Sequence, residues 1–292
     1  MNVAMSIRLR ARFVLIITFV GLLSGCASIG GMKEEATADA QPVATFDELV
    51  KKGDDALRAN DISGAQINYA LAVEKDADNI AVVYKLAAVH KFKESFDVAE
   101  KLLRHALTIE PSNERSKVLL AQVLTQLERN DEAEVLYEEI LARNERSLEA
   151  LNGLGVLHDM NGRHKLAQNN FSKALSLDSR SAKLANNLGY SYYLAGDFNE
   201  AERLFLEAVK FDSKYDRAWS NLALVYSRAG RLRAADSAFR KIVPEYQAAN
   251  NIGYIGLLQG DLELAAQQFN RAISTSPIYY ETANRNLELL AD

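Results

Sequence analysis

Residues 148–181 read LEALNGLGVLHDMNGRHKLAQNNFSKALSLDSRS, and residues 182–215 read AKLANNLGYSYYLAGDFNEAERLFLEAVKFDSKY. The two stretches share one pattern at an interval of 34 residues, so that Ala167 matches Ala201. Self-similarity at a fixed interval is the signature of a repeat architecture, in which each unit is one small group of packed elements. The same interval predicts about seven repeats, which begin at residues 46, 80, 114, 148, 182, 216 and 246. The sixth repeat is four residues short.

At equivalent positions of the repeats, the side chains are of similar size. Position 20 is Ala in all seven repeats, position 8 is Gly or Ala, and position 24 is Leu, Phe or Tyr. Positions 4, 7, 8 and 11 share one helical face, and 20, 24 and 27 share another, because helical neighbours recur every three or four residues. Small residues at 8 and 20 let two helices approach closely, and the bulky residue at 24 fills the remaining space. Between the two helices, where a left-handed residue ends a helix at little cost, stand Gly162, Gly196, Gly230 and Gly260.

This pattern is similar to the tetratricopeptide repeat, and the resemblance covers residues 46–279. It implies an all-α fold, a right-handed α-solenoid of about seven helix-turn-helix repeats. One helix pair cannot bury its apolar face alone, so stability comes from stacking and the ends need caps. Residues 280–292 carry three leucines and are expected to form a C-terminal capping helix.

The composition is that of a helical globular body. Hydrophobic residues make up 48% of the 292 residues, only 4 are Pro, and the formal net charge is -5. A mildly acidic chain gives no support for nucleic-acid binding. The sequence has no phosphate loop, zinc-ligand spacing or nucleophile motif, so we expect no enzyme, metal, cofactor or small-molecule substrate. His90 and His158 take position 11, a packing position, and are expected in the core.

Residues 1–25 are typical of a signal peptide. Three arginines precede an apolar run at 13–23, and at about 1.5 Å per residue this run is too short for a hydrocarbon core of about 30 Å. The boundary Leu23-Ser24-Gly25-Cys26 resembles the lipobox of bacterial lipoproteins, in which the cysteine is acylated and becomes the first mature residue. Cys26 is the only cysteine, and its covalent lipid is the one non-protein group we expect. A plain signal peptide or an anchor helix is the alternative.

The segment after the lipobox predicts where the chain is held. Ala27, rather than Asp, follows Cys26, and by resemblance to the sorting rule of Gram-negative lipoproteins this favours the outer membrane. We therefore expect a lipid-anchored protein that faces the periplasm. Residues 26–45 contain Gly30-Gly31 and no apolar periodicity, which is typical of a flexible tether.

The tetratricopeptide resemblance also implies a groove lined by positions 2, 5, 6, 9, 12 and 13 of each repeat. In the last four repeats these positions carry amides, tyrosines and cations. An amide both donates and accepts, so a row of them can match a peptide backbone. An asparagine row at position 6 also resembles the peptide-binding ladder of the O-GlcNAc transferase solenoid. The candidate peptide-binding residues are Asn152, Lys183, Asn186, Asn187, Tyr190, Tyr193, Arg217, Asn221, Arg228, Asn250, Asn251 and Tyr254. Alternatively, the asparagines bond neighbouring backbone and the tyrosines only pack.

A second resemblance is narrower. Residues 250–261 read NNIGYIGLLQGD, and residues 186–190 repeat the theme as NNLGY. With the short sixth repeat and the lipobox, this block resembles the TadD family of tetratricopeptide lipoproteins, which act in tight-adherence (Flp, type IVb) pilus assembly. The resemblance implies a scaffold for protein–protein interaction that assists the outer-membrane secretin as a pilotin does, with the secretin or another pilus-assembly component as partner. A type IV pilotin, or another envelope lipoprotein such as an accessory regulator of a peptidoglycan enzyme, is the alternative.

Overall fold

The computed structural model describes residues 44–290, which form fifteen α-helices and, within that range, no strand. The predicted signal peptide, Cys26 and the predicted tether up to residue 43 lie outside the described residues. The first helices of the seven repeats are α1 (Phe46–Arg58), α3 (Ile80–Phe92), α5 (Glu114–Gln126), α7 (Leu148–Met160), α9 (Ala182–Leu194), α11 (Asp216–Arg228) and α13 (Glu245–Gln259). The second helices are α2 (Ile62–Lys75), α4 (Phe96–Ile109), α6 (Asn130–Arg143), α8 (His164–Leu177), α10 (Phe198–Phe211), α12 (Leu232–Phe239) and α14 (Leu262–Thr275). The final helix is α15 (Glu281–Glu288).

The predicted all-helical array of about seven repeats with a capping helix is confirmed. Six of the seven repeat starts are the first residues of their helices, and the seventh helix begins one residue early, at Glu245, because Pro244 is its N-cap. The last helix, α15, packs on α13 and α14 and covers the end of the stack. None of the helices between residues 44 and 290 is both long enough and apolar enough to cross a membrane.

Close packing of small against bulky side chains joins the two helices of a repeat. The alanine at position 20 has no exposed surface in any repeat. In the fourth repeat, a β-carbon added to Gly155 at position 8 would lie 2.6 Å from the ring of Phe171 at position 24. The helices therefore approach until the ring touches the glycine backbone, and a larger residue there would force them apart.

The first helices form the inner side of the stack. From α3 to α13 each first helix contacts the first helix of the next repeat, whereas no comparable contact joins consecutive second helices in the described part of the chain. Helices that approach more closely lie on the side with the smaller radius. We call the surface formed by positions 2, 5, 6, 9, 12 and 13 of the first helices the inner face.

The shortened sixth repeat shortens one helix. The second helix α12 spans 8 residues, whereas the other second helices span 14. The first helices α11 and α13 on either side of it remain in contact, as other consecutive first helices are. The stack thus continues through the deletion, and the loss falls on its outer side, where α12 has 8 residues of helix against 14 in α10.

Position 15 ends the first helix with a left-handed backbone in every repeat. The four predicted glycines have φ between +68° and +85°. In the first three repeats the same conformation is held by Asn60, Glu94 and Glu128, with φ of 59°, 58° and 62°. A side chain with a β-carbon is strained there, and glutamate has no local hydrogen bond that offsets the strain as asparagine has.

Replacing Glu128 with glycine should therefore stabilise the protein by about 0.5–1 kcal/mol, because glycine adopts this conformation without strain. The matched control is Glu128→Ala, which removes the same carboxylate but keeps the β-carbon and should give no such gain. Thermal unfolding followed by circular dichroism measures both. Equal midpoints for the two variants would show that strain at position 15 is absent.

Candidate peptide-binding face

The inner face exposes large apolar side chains at two positions along much of its length. At position 13, Phe92 and Leu258 are each 70% exposed and Met160 is 58% exposed. At position 9, Tyr254 and Tyr190 are about half exposed. Isolated apolar residues on a surface are ordinary, but Met160 on α7 and Tyr190 on α9 lie on adjacent first helices, and neighbouring apolar residues of this kind mark an interaction surface.

One open cavity brings five of the predicted peptide-binding residues together. It lies between α9 and α11 and is also lined by Asp216 and Ser220. The five predicted residues are Asn186, Asn187, Tyr190, Arg217 and Asn221. The sequence therefore located a real concentration of amide, aromatic and cationic groups on neighbouring helices.

The asparagines of this region are hydrogen-bonded to one another. Asn221 Nδ2 donates to Asn186 Oδ1 at 2.9 Å, and Asn187 Nδ2 donates to Asn152 Oδ1 at 2.8 Å. Asn186 Nδ2 lies 3.4 Å from Asn187 Oδ1 and links the two pairs. The result is a chain of four amides across repeats four, five and six. One of its two central members, Asn186, is only 4% exposed, so it supports the inner face from beneath.

The predicted aromatic and cationic residues of the fifth and sixth repeats form a stack. The rings of Tyr190 and Tyr193 are stacked at 6.0 Å, and Tyr193 meets the ring of Phe198 edge-on at 5.4 Å. The guanidinium of Arg228 lies over the same phenylalanine ring at 4.7 Å. A cation over an aromatic face is attracted to it, so Arg228 is held by the ring while remaining exposed.

The three predicted residues of the last repeat lie apart from this cavity. Asn250 is 6% exposed, and its Oδ1 accepts a hydrogen bond from Asn286 Nδ2 of the capping helix at 3.0 Å. Asn251 is half-buried and Tyr254 is exposed. The inner face therefore offers Tyr254 to a ligand, whereas Asn250 joins the capping helix to the stack.

Three predicted cations of the inner face differ from the arginines of the outer side. Within residues 44–290, Lys183, Arg217 and Arg228 have no carboxylate partner, and all three are exposed. On the outer side, by contrast, Arg163 forms an ion pair with Glu134 at 2.6 Å and lowers the pKa of that carboxyl. The inner face thus presents positive charge that is free to meet an acidic partner.

Two further hollows on the inner face were missed from the sequence. One is almost wholly apolar and lies between α1 and α3, where Leu57, Tyr84 and Phe92 line it. The other lies between α3, α5 and α7 and includes Lys91 and Met160. Positions 9, 12 and 13 of the first four repeats carry the sequence signal for both, since Leu57, Phe92, Lys91 and Met160 stand there.

Family models describe the same repeats. Three models of the tetratricopeptide repeat match residues 93–156, 181–211 and 220–277, which together span six of the seven helix pairs in whole or in part. The chain is a tetratricopeptide repeat protein. Members of this family are scaffolds for protein–protein interaction and usually have no enzymatic activity, and no catalytic family is indicated for this chain.

Solved structures agree with the fold of this tetratricopeptide repeat protein. A tetratricopeptide repeat protein from Parabacteroides merdae is 22% identical, with a TM-score of 0.62 over 85% of this chain and 99% of that one. A thermophilic repeat protein from Thermus thermophilus has 15% identity and a TM-score of 0.55, over 67% of this chain and 100% of that one. A chain of the APC/C hetero-tetramer Cut9-Hcn1 is 16% identical, with a TM-score of 0.60 over 85% of this chain and 53% of that one. No curated protein sequence matches.

The histidines of this tetratricopeptide repeat protein are structural. His158 is 5% exposed and burial lowers its pKa, and burial likewise lowers the pKa of the half-buried His90. His164 Nδ1 lies 2.9 Å from Asp159 Oδ1, which also accepts the hydroxyl of Ser191 at 2.8 Å. Because the serine bonds the carboxylate and not the imidazole, the three groups join two repeats and do not form a proton relay.

The chain of four asparagine amides should contribute to the free energy of unfolding. Asn186→Ala should destabilise the protein by about 1–2 kcal/mol, because it leaves polar groups of Asn187 and Asn221 without their partner in a half-buried setting. Asn199→Ala is the control, since Asn199 is exposed on α10. Urea unfolding would measure the difference, and equal stabilities for the two variants would contradict the structural role of the chain.

Proposed function

We propose that this protein binds a segment of a partner protein along its inner face. The observation that carries the proposal is the coincidence, on that one face, of exposed apolar side chains with exposed cations that have no acidic partner in residues 44–290. Apolar anchors supply most of the affinity of such a surface, and unpaired charges select the partner.

We further propose that the partner belongs to the machinery of tight-adherence pilus assembly. The resemblance to the TadD family, carried by residues 250–261 and by the short sixth repeat, supports this assignment. The partner would be the secretin or another pilus-assembly component, and the role would be pilotin-like assistance of secretin assembly.

The proposed place of action is the inner surface of the outer membrane. The lipobox-like boundary at Cys26 supports a covalent lipid, and Ala27 supports retention at the outer membrane. More than one acyl chain is needed for firm anchoring, because a single chain binds only marginally. Anchoring would confine the inner face near its partner and raise the effective concentration for assembly.

Lipid anchoring is tested by Cys26→Ser. The variant should lose acylation and appear in the soluble periplasmic fraction, because no other cysteine can take the lipid. Palmitate labelling and membrane fractionation are the measurements, and Ser24→Ala serves as the control that keeps the cysteine. Membrane retention of the unlabelled Cys26→Ser protein would contradict the lipoprotein assignment.

Partner binding is tested by replacing exposed apolar residues either on the inner face or, as a control, on the second helices. Tyr190→Ser with Tyr254→Ser should weaken capture of the partner at least about tenfold, since buried tyrosines at an interface each contribute on the order of 1–2 kcal/mol. Leu166→Ser with Leu206→Ser is the control, because these leucines are similarly exposed but belong to second helices.

Co-purification from cells, with quantitative mass spectrometry of the captured proteins, is the measurement. Loss of the secretin or another pilus component only in the tyrosine variant supports the proposal. Specific loss of a peptidoglycan enzyme instead would keep the binding face and overturn the pilus assignment. Equal capture by both variants would contradict the inner face as the binding surface.

A further inference from the structure

The cavity between α3, α5 and α7 differs chemically from the rest of the inner face. Its polar lining consists of donors and amides, among them Lys91, Gln122, Gln126 and Asn152, and no acidic residue lines it. Val156 and Met160 add an apolar floor that is 39% and 58% exposed, respectively. A cavity that contains a cation and several donors without any carboxylate is matched to an anionic group.

A tyrosine of the second helix α6 enters this cavity through a gap in the first-helix layer. Tyr137 takes position 24, a core position, yet it lines the cavity. The gap exists because position 6 of the fourth repeat is Gly153, where the other repeats have Lys, Leu or Asn. A β-carbon on Gly153 would lie 2.5 Å from the Tyr137 hydroxyl oxygen, so any other residue would close the opening.

The hydroxyl of this tyrosine has no partner. Tyr137 is 2% exposed, and within residues 44–290 no group accepts its proton. The equivalent tyrosine of the first repeat, Tyr69, donates to Asp54 Oδ1 at 2.6 Å. Burial raises the pKa of Tyr137, so the hydroxyl keeps its proton and remains a donor. The hydroxyl borders the open cavity, so an acceptor group of a bound ligand can reach it.

Lys91 also has no counter-charge. Among the described residues its ammonium bonds only the side-chain oxygen of Gln122, whereas Lys85 has Asp54 at 2.6 Å and Lys117 pairs with Glu139. Burial lowers the pKa of Lys91, and the neighbouring charge of Lys183 lowers it further. An anion bound beside Lys91 would offset both effects.

We infer that this cavity, the Tyr137 pocket, binds the carboxylate of an aspartate or glutamate within the partner segment. The inference rests on the proposed binding of a segment along the inner face. The Tyr137 hydroxyl and the Lys91 ammonium donate to the carboxylate, and the Asn152 amide adds a third donor because its oxygen already accepts from Asn187. An apolar side chain next to the acid packs on Val156 and Met160.

The position of the pocket decides where in the segment the acid lies. The apolar hollow at Phe92 adjoins it on one side, and the amide-lined cavity at Asn187 follows on the other. A segment that occupies the inner face therefore passes through the Tyr137 pocket. The carboxylate belongs to an internal side chain and not to a chain end.

The test selects binders from a library of random peptides. Each peptide is inserted between two folded domains, so that it has no free end. The target is the full-length chain in detergent. Selected peptides should carry Asp or Glu beside Leu, Ile, Met or Phe.

A second measurement compares two synthetic versions of one selected peptide, both with blocked ends. One has Glu and the other Gln at the acidic position, and their affinities for the chain are measured. The Glu peptide should bind at least about tenfold more tightly, the usual effect of a charged hydrogen bond.

Two variants then test the pocket itself. Tyr137→Phe and Lys91→Met should each reduce the Glu-over-Gln preference several-fold while leaving the affinity for the Gln peptide unchanged. Tyr137→Phe should also keep or raise the unfolding midpoint, because its hydroxyl has no partner in the free protein. The control Tyr69→Phe should lower the midpoint, because it removes the bond to Asp54, and should leave the preference intact.

The outcomes separate this inference from the proposed function. Peptides that need Tyr190 and Tyr254 but show equal affinity with Glu and Gln would overturn the pocket and leave the binding face standing. Enrichment only in a parallel library with free C-termini would overturn the internal carboxylate. Failure of every library to bind the inner face would overturn both.

Discussion

The close approach of two helices over a glycine or alanine is the constraint on which the rest of this structure depends. At position 8 a small residue lets the aromatic ring of position 24 reach the backbone, as Phe171 does at Gly155. This contact sets the distance between the helices of each repeat. It also turns positions 9 and 13 of the first helix away from its partner helix, because successive helical residues are about 100° apart. The binding face is thus a geometric consequence of the core.

Two kinds of polar contact then hold one repeat against the next. On the outer side, the arginine at position 16 bonds the acid at position 21 of the preceding repeat, as Arg129 does with Glu100 and Arg163 with Glu134. On the inner side, amides such as Asn186 and Asn221 connect neighbouring first helices. Charged contacts are therefore concentrated where no ligand is proposed to bind, and the inner face keeps unpaired cations together with neutral amides.

The fold could be predicted from the sequence because its rules operate within one repeat. Helix starts, the buried alanines and the left-handed glycines follow from side-chain size at fixed positions. The roles of the asparagines could not be fully predicted, because they depend on how far one repeat is rotated on the next. The rotation between repeats places position 6 of one repeat next to position 5 of the repeat before it. Asn186 therefore accepts a hydrogen bond from Asn221 and lies beneath the surface.

Dependence on contacts between repeats also explains why the sequence did not predict Tyr137 as a binding residue. Position 24 is buried in every repeat, and a pattern read one repeat at a time assigns it to the core. Its hydroxyl reaches the inner face only because Gly153, in the next repeat, leaves room. A departure from the repeat pattern at an inner position is therefore more informative than agreement with it. Agreement is needed for stacking, whereas the absence of a side chain at one inner position opens a path from the core to the ligand surface.

Exposed apolar residues alone would not have singled out the inner face. The second helices also expose Ile67, Val135 and Leu206. Those that share a position, as Ile67 and Val135 do at position 22, lie in repeats that are not adjacent, so they do not align into a row when the repeats stack. On the first helices the apolar residues recur at positions 9 and 13, and stacking places them beside one another. Regular spacing converts separate side chains into one continuous surface, and an extended or helical segment of a partner needs a surface of that kind.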